Sequence, residues 1–379
     1  MNKFEKAQEI LKELDADGWL IISNEGSDIN SPFMLGIDAH IRHYIYVATN
    51  GIHKVLAVQM EAPMIGRALE KRGITAEIDS YSSLEELIAK LKLIVNDSKI
   101  AVNIGENIFS KESTAYADYI RAGDFFSVKR ISPETDFISA AQIIYQLRSV
   151  KSSEELADLR NVCKTTMEIL EEVPNWVKSG MTEREIKARL NYEYNKVGEP
   201  SFPTIVGTQD HSADPHHNTS NKKVGEGSLL IDTGLKIDQM CSDITWTYWV
   251  GNNPSDEFIQ AYNALHGANK EASNYYVDGT PSNLPALKCR EFLKEAGYDH
   301  EKLFIHGLGH PIGFEVHDIG PRVSWRSSEK SILMENMVLS NEPGLYWPDK
   351  WGIRLEDDII IGKEKSEPVT SIPKEPLLI

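Results

Sequence analysis

Cysteine is rare in this chain of 379 residues, which contains three. Cys163, Cys241 and Cys289 are widely spaced and odd in number, and no CxxC pair is present. This usage excludes a disulfide framework or zinc knuckle and predicts buried thiols in a reducing compartment, by default the cytoplasm. Long apolar runs are also missing. No segment approaches the roughly 18 apolar residues of a membrane span, and the charged start MNKFEKAQEILKELDADGWL lacks the apolar core of a signal peptide.

Positive charge is in short supply as well. The chain has 40 Lys and Arg residues against 57 Asp and Glu, and its formal net charge is −17 at pH 7 with neutral His. Because such a chain repels phosphate backbones and anionic lipid, nucleic acid and membrane partners are disfavoured. The GxSxG, HExxH, P-loop and GxGxxG motifs are absent too, which argues against the hydrolases, zinc proteases and nucleotide-binding proteins that carry them.

The length and the patterning predict two domains. The first third has the character of a small α/β unit, with a hairpin at Asn50-Gly51. Helices are expected there over about residues 3–15, 61–72, 83–95 and 112–122. Capping boxes at Ser152 and Thr182 then begin two amphipathic helices, expected to continue to Gly180 and Gly198. We place the boundary near residues 145–151, which gives domains over 1–147 and 148–379.

Two aspartates occupy strand positions that usually exclude them. The stretch LLIDTGLKIDQMCSDITW, residues 229–246, has the pattern of a β-hairpin, yet it contains Asp232 and Asp243. If the turn is centred on Ile237-Asp238, the two carboxylates lie directly opposite each other on one face. Like charges in that position are destabilising unless one is protonated or a cation lies between them.

A second hairpin is expected in LSNEPGLYWPDKWGIRLEDDIII, residues 339–361. Glu342 and Glu356 are symmetric about its turn-rich centre, so they are predicted to face each other as well. The alternative is that Glu356, Asp357 and Asp358 form a solvated charged end. That alternative suits Asp357 and Asp358 better than Glu356, which alternates with apolar residues.

Histidines cluster between the two hairpins. His306, His310 and His317 fall in HGLGHPIGFEVHD, and His216 and His217 form a pair upstream. A lone His in an apolar setting is more often a core residue than a ligand, but four strand-borne carboxylates combined with His exceed coincidence. Oxygen-rich ligands with one imidazole predict a site for two divalent cations. Such ligands favour Mn²⁺, with Co²⁺, Fe²⁺ or Zn²⁺ as alternatives.

These motifs together resemble a known family. PHH at 215–217, LLIDTG, SDIT, HGLGHPIGFEVHD, NEPGLY and IRLEDD follow one another across about residues 150–379. In this order they resemble the pita-bread metallopeptidases, the superfamily of prolidase, aminopeptidase P, methionine aminopeptidase and creatinase. The resemblance implies an α/β (α+β) fold. Residues 1–147 would form a creatinase-like N-terminal domain, and residues 148–379 a catalytic pita-bread domain.

The resemblance also implies roles for particular residues. The five metal ligands would be Asp232, Asp243, His310, Glu342 and Glu356. Glu342 would also act as general base, and His317 would assist proton movement and stabilise the reacting carbonyl. His216, or less readily His217, would hydrogen-bond the substrate near the metals. His306 is expected to support the ligands or to lie in the core.

The implied activity is hydrolysis of the Xaa-Pro bond at the N-terminus of small proline-containing peptides. Two positions depart from the family pattern: Trp246 stands where Arg is common after Asp-Ile-Thr, and Pro311 stands where many members have Gly. The Trp246 departure leaves open another metal-dependent reaction, such as lysis of a small sulfonium acid. A binding module without catalysis is a further alternative, which the complete ligand set and the acidic charge disfavour.

Substrate length and assembly stay open at this point. HDIG and EPGLY are more similar to aminopeptidase P, which accepts longer peptides. The modest length and Arg322 in IGPRV are more similar to prolidase, in which an Arg at the matching place holds the carboxylate of a dipeptide. A solvated surface charge is the alternative for Arg322. The family arrangement also implies a homodimer in which His40, in GIDAHIRHY, reaches the other subunit's active site.

Overall fold

The computed structural model describes residues 1–96, 99–105 and 117–379. These residues form two compact units, Met1–Leu147 and Arg148–Ile379. Among them, no helix combines the length and the apolar character needed to cross a membrane. The three cysteines are free and buried, as the sequence predicts.

The first unit is built on a six-stranded mixed sheet in the order β4-β3-β2-β1-β5-β6. Its strands are β1 Gly18–Ser23, β2 His43–Ala48, β3 Lys54–Val58, β4 Glu77–Tyr81, β5 Lys99–Val102 and β6 Asp136–Ser139. Its helices are α1 Lys3–Glu13, α2 Asn30–Leu35, α3 Ala62–Lys71, α4 Leu84–Ile94, α5 Ala122–Ile131 and α6 Ala141–Arg148, the last of which ends on the first residue of the second unit. Strand β1 is buried throughout, as its continuous apolar run requires of a central strand covered on both faces.

Local predictions in the first unit are largely confirmed. Strands β2 and β3 pair antiparallel around the expected turn, where Gly51 takes a φ of 83°. The helix predicted over residues 112–122 lies in part outside the described residues, since 112–116 are not among them. From residue 117 onward no α-helix forms before α5 begins at Ala122.

The second unit consists of short antiparallel sheets with helices packed around them. The sheets have the strand orders β11-β10-β7, β12-β9-β8, β13-β16-β17 and β14-β15. The strands are β7 Glu199–Pro200, β8 Ile205–Thr208, β9 Gly227–Thr233, β10 Leu235–Ile237, β11 Met240–Cys241, β12 Ile244–Val250, β13 Val338–Asn341, β14 Gly344–Trp347, β15 Trp351–Arg354, β16 Asp357–Ile360 and β17 Glu367–Pro368. The helices are α7 Ser153–Glu171, α8 Val173–Trp176, α9 Glu183–Tyr194, α10 Asp256–Ser273, α11 Leu284–Glu295 and α12 His300–Leu303.

Both predicted capping boxes are present. The Ser152 side chain accepts from the backbone of Glu155 at the start of α7, and Thr182 accepts from that of Glu185 at the start of α9. The expectation that the first helix continues to Gly180 was wrong: α7 ends at Glu171 and a separate turn, α8, follows with Pro in its first turn. Proline lacks the N–H that would continue the hydrogen-bond ladder of α7.

Candidate metal centre

The register of the first hairpin differs from the predicted one. Ile237 pairs with Met240, so the turn is centred one residue later than expected, and Asp232 pairs with Thr245 instead of Asp243. Asp238 in the turn takes a φ of 53°, a left-handed conformation that Asp tolerates. Because the register is displaced by two residues, the facing of the side chains is unchanged. Asp243 follows β11 as a diagonal neighbour of Asp232.

The register of the second hairpin agrees with the prediction. Gly344 pairs with Arg354 on one side, and Asn341 pairs with Asp357 on the other. Both pairs belong to the same antiparallel register, so Glu342 and Glu356 lie opposite each other in the gap between two short ladders.

These elements bring acidic and imidazole groups together. Ligand-type atoms of Asp243, His310 and Glu356 all lie within 4.8 Å of one another. His310 Nε2 is 3.4 Å from Asp243 Oδ2 and 3.6 Å from Glu342 Oε1. The other ring nitrogen, Nδ1, lies 3.2 Å from the carbonyl oxygen of Pro311, to which it donates. Nε2 is therefore the ring nitrogen that faces the carboxylates.

Three buried carboxylate oxygens in this cluster have no hydrogen-bond partner among the described residues. They belong to Asp232, Asp243 and Glu356. Burial, followed by the charges of neighbouring carboxylates, raises the pKa of Asp243 and of Glu356 well above the ordinary range. Burial also raises the pKa of Glu342. Since buried acceptors without donors are costly, the cluster fits bound divalent cations, for which oxygen-rich ligands are suited.

Arginine 354 is a residue of this cluster that the sequence reasoning missed. Its buried guanidinium contacts Asp232 Oδ2 and donates to Thr245 Oγ1 (3.1 Å) and to the Tyr346 hydroxyl (3.0 Å). It also donates to the carbonyl of Pro215 (3.3 Å). The sequence feature that could have identified it is the one shared with Asp232 and Asp243: Arg354 is a charged residue in a strand of otherwise uncharged residues.

Three of the predicted residues lie at the edge of the cluster. The ring centroid of His317 is 4.2 Å from that of His310. Burial, then the charges of His310, Arg322 and His216, lowers the pKa of His317 to about 4. The charges of His216 and Arg322 thus act on His317, which associates both residues with this edge of the cluster.

The remaining histidines separate into different surroundings. His306 is half-buried with Nε2 2.9 Å from the Tyr346 hydroxyl, and desolvation followed by the Arg354 charge lowers its pKa to about 3. His217 directs Nε2 at Glu183 (2.9 Å), away from the cluster. His40 belongs to the first unit, where its side chain is exposed and its backbone N–H donates to Glu61 (3.0 Å).

The expectation that Asp357 and Asp358 form a solvated end was wrong. Both are buried in β16, between β13 and β17. Asp357 accepts from the Asn269 amide (2.8 Å), and Asp358 accepts from the backbone N–H of Asp243 (3.0 Å). Burial raises the pKa of each to about 7. Apolar residues follow them directly in the strand, so the ladder draws both aspartates into the interior.

Trp246 faces away from the carboxylates. On either side of it in β12, the Thr245 hydroxyl donates to Glu356 (2.6 Å) and the Thr247 hydroxyl to the Arg354 carbonyl (2.9 Å). Strand alternation turns Trp246 to the opposite face, where it is buried in the apolar core beside Tyr248. The departure from the family pattern at this position therefore changes core packing and not the cluster itself.

Comparison with known proteins agrees with this geometry. The chain superimposes on the crystal structure of an X-Pro aminopeptidase from Thermotoga maritima with a TM-score of 0.85 and 27% identity, covering all of both chains. A Xaa-Pro dipeptidase from Bacillus anthracis gives a TM-score of 0.84 at 25% identity, over 100% of this chain and 99% of the other. The two units thus have the pita-bread metallopeptidase fold with its N-terminal α/β domain.

Sequence similarity gives the family. Residues 157–363, more than half of the chain, match metallopeptidase family M24, and the chain belongs to that family. A curated relative, the Xaa-Pro dipeptidase of Pyrococcus furiosus, is 34% identical over 255 residues, which span 65% of this chain and 70% of the relative. The chain is a peptidase of the metal-dependent class.

Proposed function

We propose that this metallopeptidase removes the N-terminal residue from short peptides whose second residue is proline, as a Xaa-Pro dipeptidase or Xaa-Pro aminopeptidase. The observation that carries the proposal is the set of carboxylate oxygens on Asp232, Asp243 and Glu356 that lack hydrogen-bond partners among the described residues, in a cluster that also contains His310 and Glu342. The similarity to Xaa-Pro peptidases over the same residues supports the choice of substrate. Residues 148–379 would form the catalytic domain.

Two divalent cations are the proposed cofactors. Their ligands would be Asp232, Asp243, His310, Glu342 and Glu356. One imidazole among four carboxylates favours Mn²⁺, with Co²⁺, Fe²⁺ and Zn²⁺ as alternatives. When bound, the cations polarise the scissile carbonyl and lower the pKa of water.

The chain's own residues would provide the remaining chemistry. Glu342 would accept the proton of the attacking water as general base. His317, whose pKa of about 4 keeps it neutral near pH 7, would hydrogen-bond the reacting carbonyl. His216 would hydrogen-bond the substrate, and Arg354 would hold Asp232 in place. Because the proline nitrogen has no N–H, recognition must rely on the carbonyl and on the proline ring.

Arg322 is the proposed determinant of substrate length. Its side chain is exposed, and its charge acts on His317 at the edge of the cluster. The planar guanidinium of an Arg there can bind the free carboxylate of a dipeptide through two hydrogen bonds. We expect cleavage of both Ala-Pro and Ala-Pro-Ala, and Arg322→Ala should lower kcat/KM for Ala-Pro alone. An equal loss on both peptides would remove this role.

A homodimer in the cytoplasm completes the proposal. His40, exposed in the first unit, would contribute to the partner subunit's substrate site. Light scattering at micromolar concentration tests the dimer, which a species of only 42.6 kDa would contradict. The three free, buried cysteines support a reducing compartment.

The central experiment is a peptide assay with chelated and metal-reconstituted enzyme. Ala-Pro and Ala-Pro-Ala should be cleaved in the presence of Mn²⁺ and left intact after chelation, while Ala-Ala serves as the control for proline selectivity. If the reconstituted enzyme cleaves neither proline peptide, the proposal is wrong. The alternatives of another metal-dependent reaction or of a non-catalytic binding role would then replace it.

A further inference from the structure

A second cluster of histidines around a carboxylate lies at the start of helix α9. Glu183 is fully buried there, and five donors converge on its carboxylate. They are Thr208 N (3.1 Å), His211 Nδ1 (2.8 Å), His217 Nε2 (2.9 Å), Ser220 N (2.8 Å) and Ser220 Oγ (2.7 Å). We call this group of residues the Glu183 clamp.

The clamp has ligand-type atoms within 4.8 Å of one another, as a metal site would. Its hydrogen bonding argues otherwise. Oε1 accepts two bonds and Oε2 accepts three, which uses about all of the four or so acceptor positions of a carboxylate. Burial works to raise the pKa of Glu183, but the bonds from His217 and Ser220 hold it below its ordinary value. Glu183 is therefore an ionised acceptor whose partners are all protein donors.

The donors lie on both sides of His216 in the sequence. Thr208 and His211 precede it, and His217 and Ser220 follow it. Pro215 directly precedes His216, and its carbonyl accepts a hydrogen bond from Arg354, which also contacts Asp232. His216 thus lies between one neighbour tied to the Glu183 clamp and one tied to the candidate metal centre.

We propose that Glu183 is a positioning residue for the peptidase reaction: by binding His211, His217 and Ser220 it fixes the segment that presents His216 to the substrate. The proposal rests on the substrate role given to His216 above. Among the described residues, the hydrogen bonds of the Glu183 carboxylate go to Thr208, His211, His217 and Ser220 and not to the proposed metal ligands, so its effect on catalysis would pass through His216. The Glu183 clamp also gives His217 a role, because the His217 side chain is one of the donors to the Glu183 carboxylate.

A double-mutant cycle tests this path. Glu183→Gln replaces one acceptor oxygen with an amide that cannot accept, and it should lower kcat/KM on Ala-Pro by about tenfold to a hundredfold through misplacement of His216. In the His216→Ala background the same change should cost less than about twofold, because residues that act as a unit give non-additive losses. Additive losses in the two backgrounds would overturn the proposal.

Glu185→Gln is the matched control. Glu185 lies in the same helical turn and receives the same substitution, but among the described residues its side chain accepts hydrogen bonds from the helix cap at Thr182. We expect it to lower the melting temperature and leave kcat/KM unchanged. If Glu183→Gln is poorly folded, Ser220→Ala removes a single donor and should give a smaller loss with the same non-additivity.

Amide hydrogen exchange provides a readout that is independent of activity. The amides of Thr208 and Ser220 donate to different oxygens of Glu183, so in Glu183→Gln at least one of them loses its acceptor and should exchange faster, whereas in Glu185→Gln neither should. Unchanged exchange at both amides in Glu183→Gln would overturn the clamp. If the wild-type enzyme fails to cleave Ala-Pro, the proposed function is wrong, and the exchange measurement still decides whether Glu183 holds the segment.

Discussion

Two clusters in the second unit have similar composition and opposite hydrogen bonding. The candidate metal centre and the Glu183 clamp each combine buried carboxylate with histidine inside a radius that a cation could bridge. In the metal centre, carboxylate oxygens of Asp232, Asp243 and Glu356 lack donors among the described residues. In the clamp, every acceptor position of Glu183 is used.

Composition and proximity alone therefore do not define a metal site. What distinguishes the two clusters is the number of donors that the protein supplies to each carboxylate. A carboxylate whose donors are backbone N–H and imidazole N–H groups is already stabilised as an anion, and its pKa falls. Asp243 and Glu356 are instead buried beside other carboxylates, which raises the pKa of both, and a bound cation would offset that accumulated negative charge.

Removing one acid from each cluster should have opposite effects on metal content. Asp243→Ala and Glu356→Ala should lose bound metal and activity together, whereas Glu183→Ala should retain its metal. Elemental analysis of the purified proteins measures this directly. Wild-type enzyme stripped by a chelator should be inactive and recover best with Mn²⁺ or Co²⁺. Full activity in a metal-free sample, or equal metal loss from Glu183→Ala, would contradict the distinction.

Glu342→Gln should separate chemistry from folding within the metal centre. The amide cannot accept a proton, so kcat should fall by about 10²–10⁴-fold, the usual contribution of a general base. The melting temperature should change little because the shape of the side chain is kept. Steady-state kinetics on Ala-Pro measures the effect, and a kcat close to that of wild type would exclude Glu342 as the base.

Thr245→Val should weaken metal binding without removing a ligand. The Thr245 hydroxyl donates to Glu356 and accepts from Arg354, and losing such a supporting bond typically costs about 10–100-fold in metal affinity. Thr247→Val is the matched control, since Thr247 lies on the same face of β12 and, within the described part of the chain, its hydroxyl hydrogen-bonds the Arg354 backbone and no carboxylate. Metal titrations followed by calorimetry compare the two, and equal affinities would disprove the supporting role.

The smallest expected effect is a difference in pH dependence. The pKa values of Asp357 and Asp358 are raised to about 7. The folded state therefore binds more protons than the unfolded state between about pH 4 and pH 7. In chelated protein, the stability they contribute is present at the acid end and lost as pH rises through this window. Asp358→Asn should flatten this fall by at most about 1.4 kcal/mol per pH unit.

Glu183 should act with the opposite sign. Because its pKa is lowered, its contribution is present above the ordinary carboxylate range and lost as pH falls. Glu183→Gln should therefore reduce the loss of unfolding free energy that occurs as pH falls through the carboxylate range. Denaturant unfolding of chelated protein at pH 3–8 measures both slopes, and slopes of the same sign for the two variants would contradict the contrast between the clusters.

Much of this architecture could be predicted from local signals. The capping boxes at Ser152 and Thr182 depend on residues three apart, and the register of Glu342 with Glu356 depends on a short symmetric turn. The register of Asp232 could not be fixed in the same way. The left-handed conformation of Asp238 shifts that turn by one residue, and the polar stretch around it allowed more than one centre.

Long-range contacts account for the rest. Asp357 and Asp358 were expected in solvent because three consecutive acids are usually exposed, but β16 is a central strand whose partners lie elsewhere in the chain. Glu183 appeared to be an ordinary first-turn acid of a helix, a position that the helix dipole favours. Its acceptors are filled by residues 25 to 37 positions later, and sequence spacing carries no trace of them.

The shared register of β14–β15 and β13–β16 gives the exposed turn between Trp347 and Trp351 an importance that its location hides. The length of that turn determines which residue pairs with Glu342, although Glu342 lies seven positions before the centre of the turn at Asp349. Adding or deleting one residue there would slide one arm of the hairpin against the other and reverse the facing of every side chain on it. Natural insertions should therefore be tolerated at this surface only in even numbers or with a compensating bulge, although no atom of the turn belongs to the site.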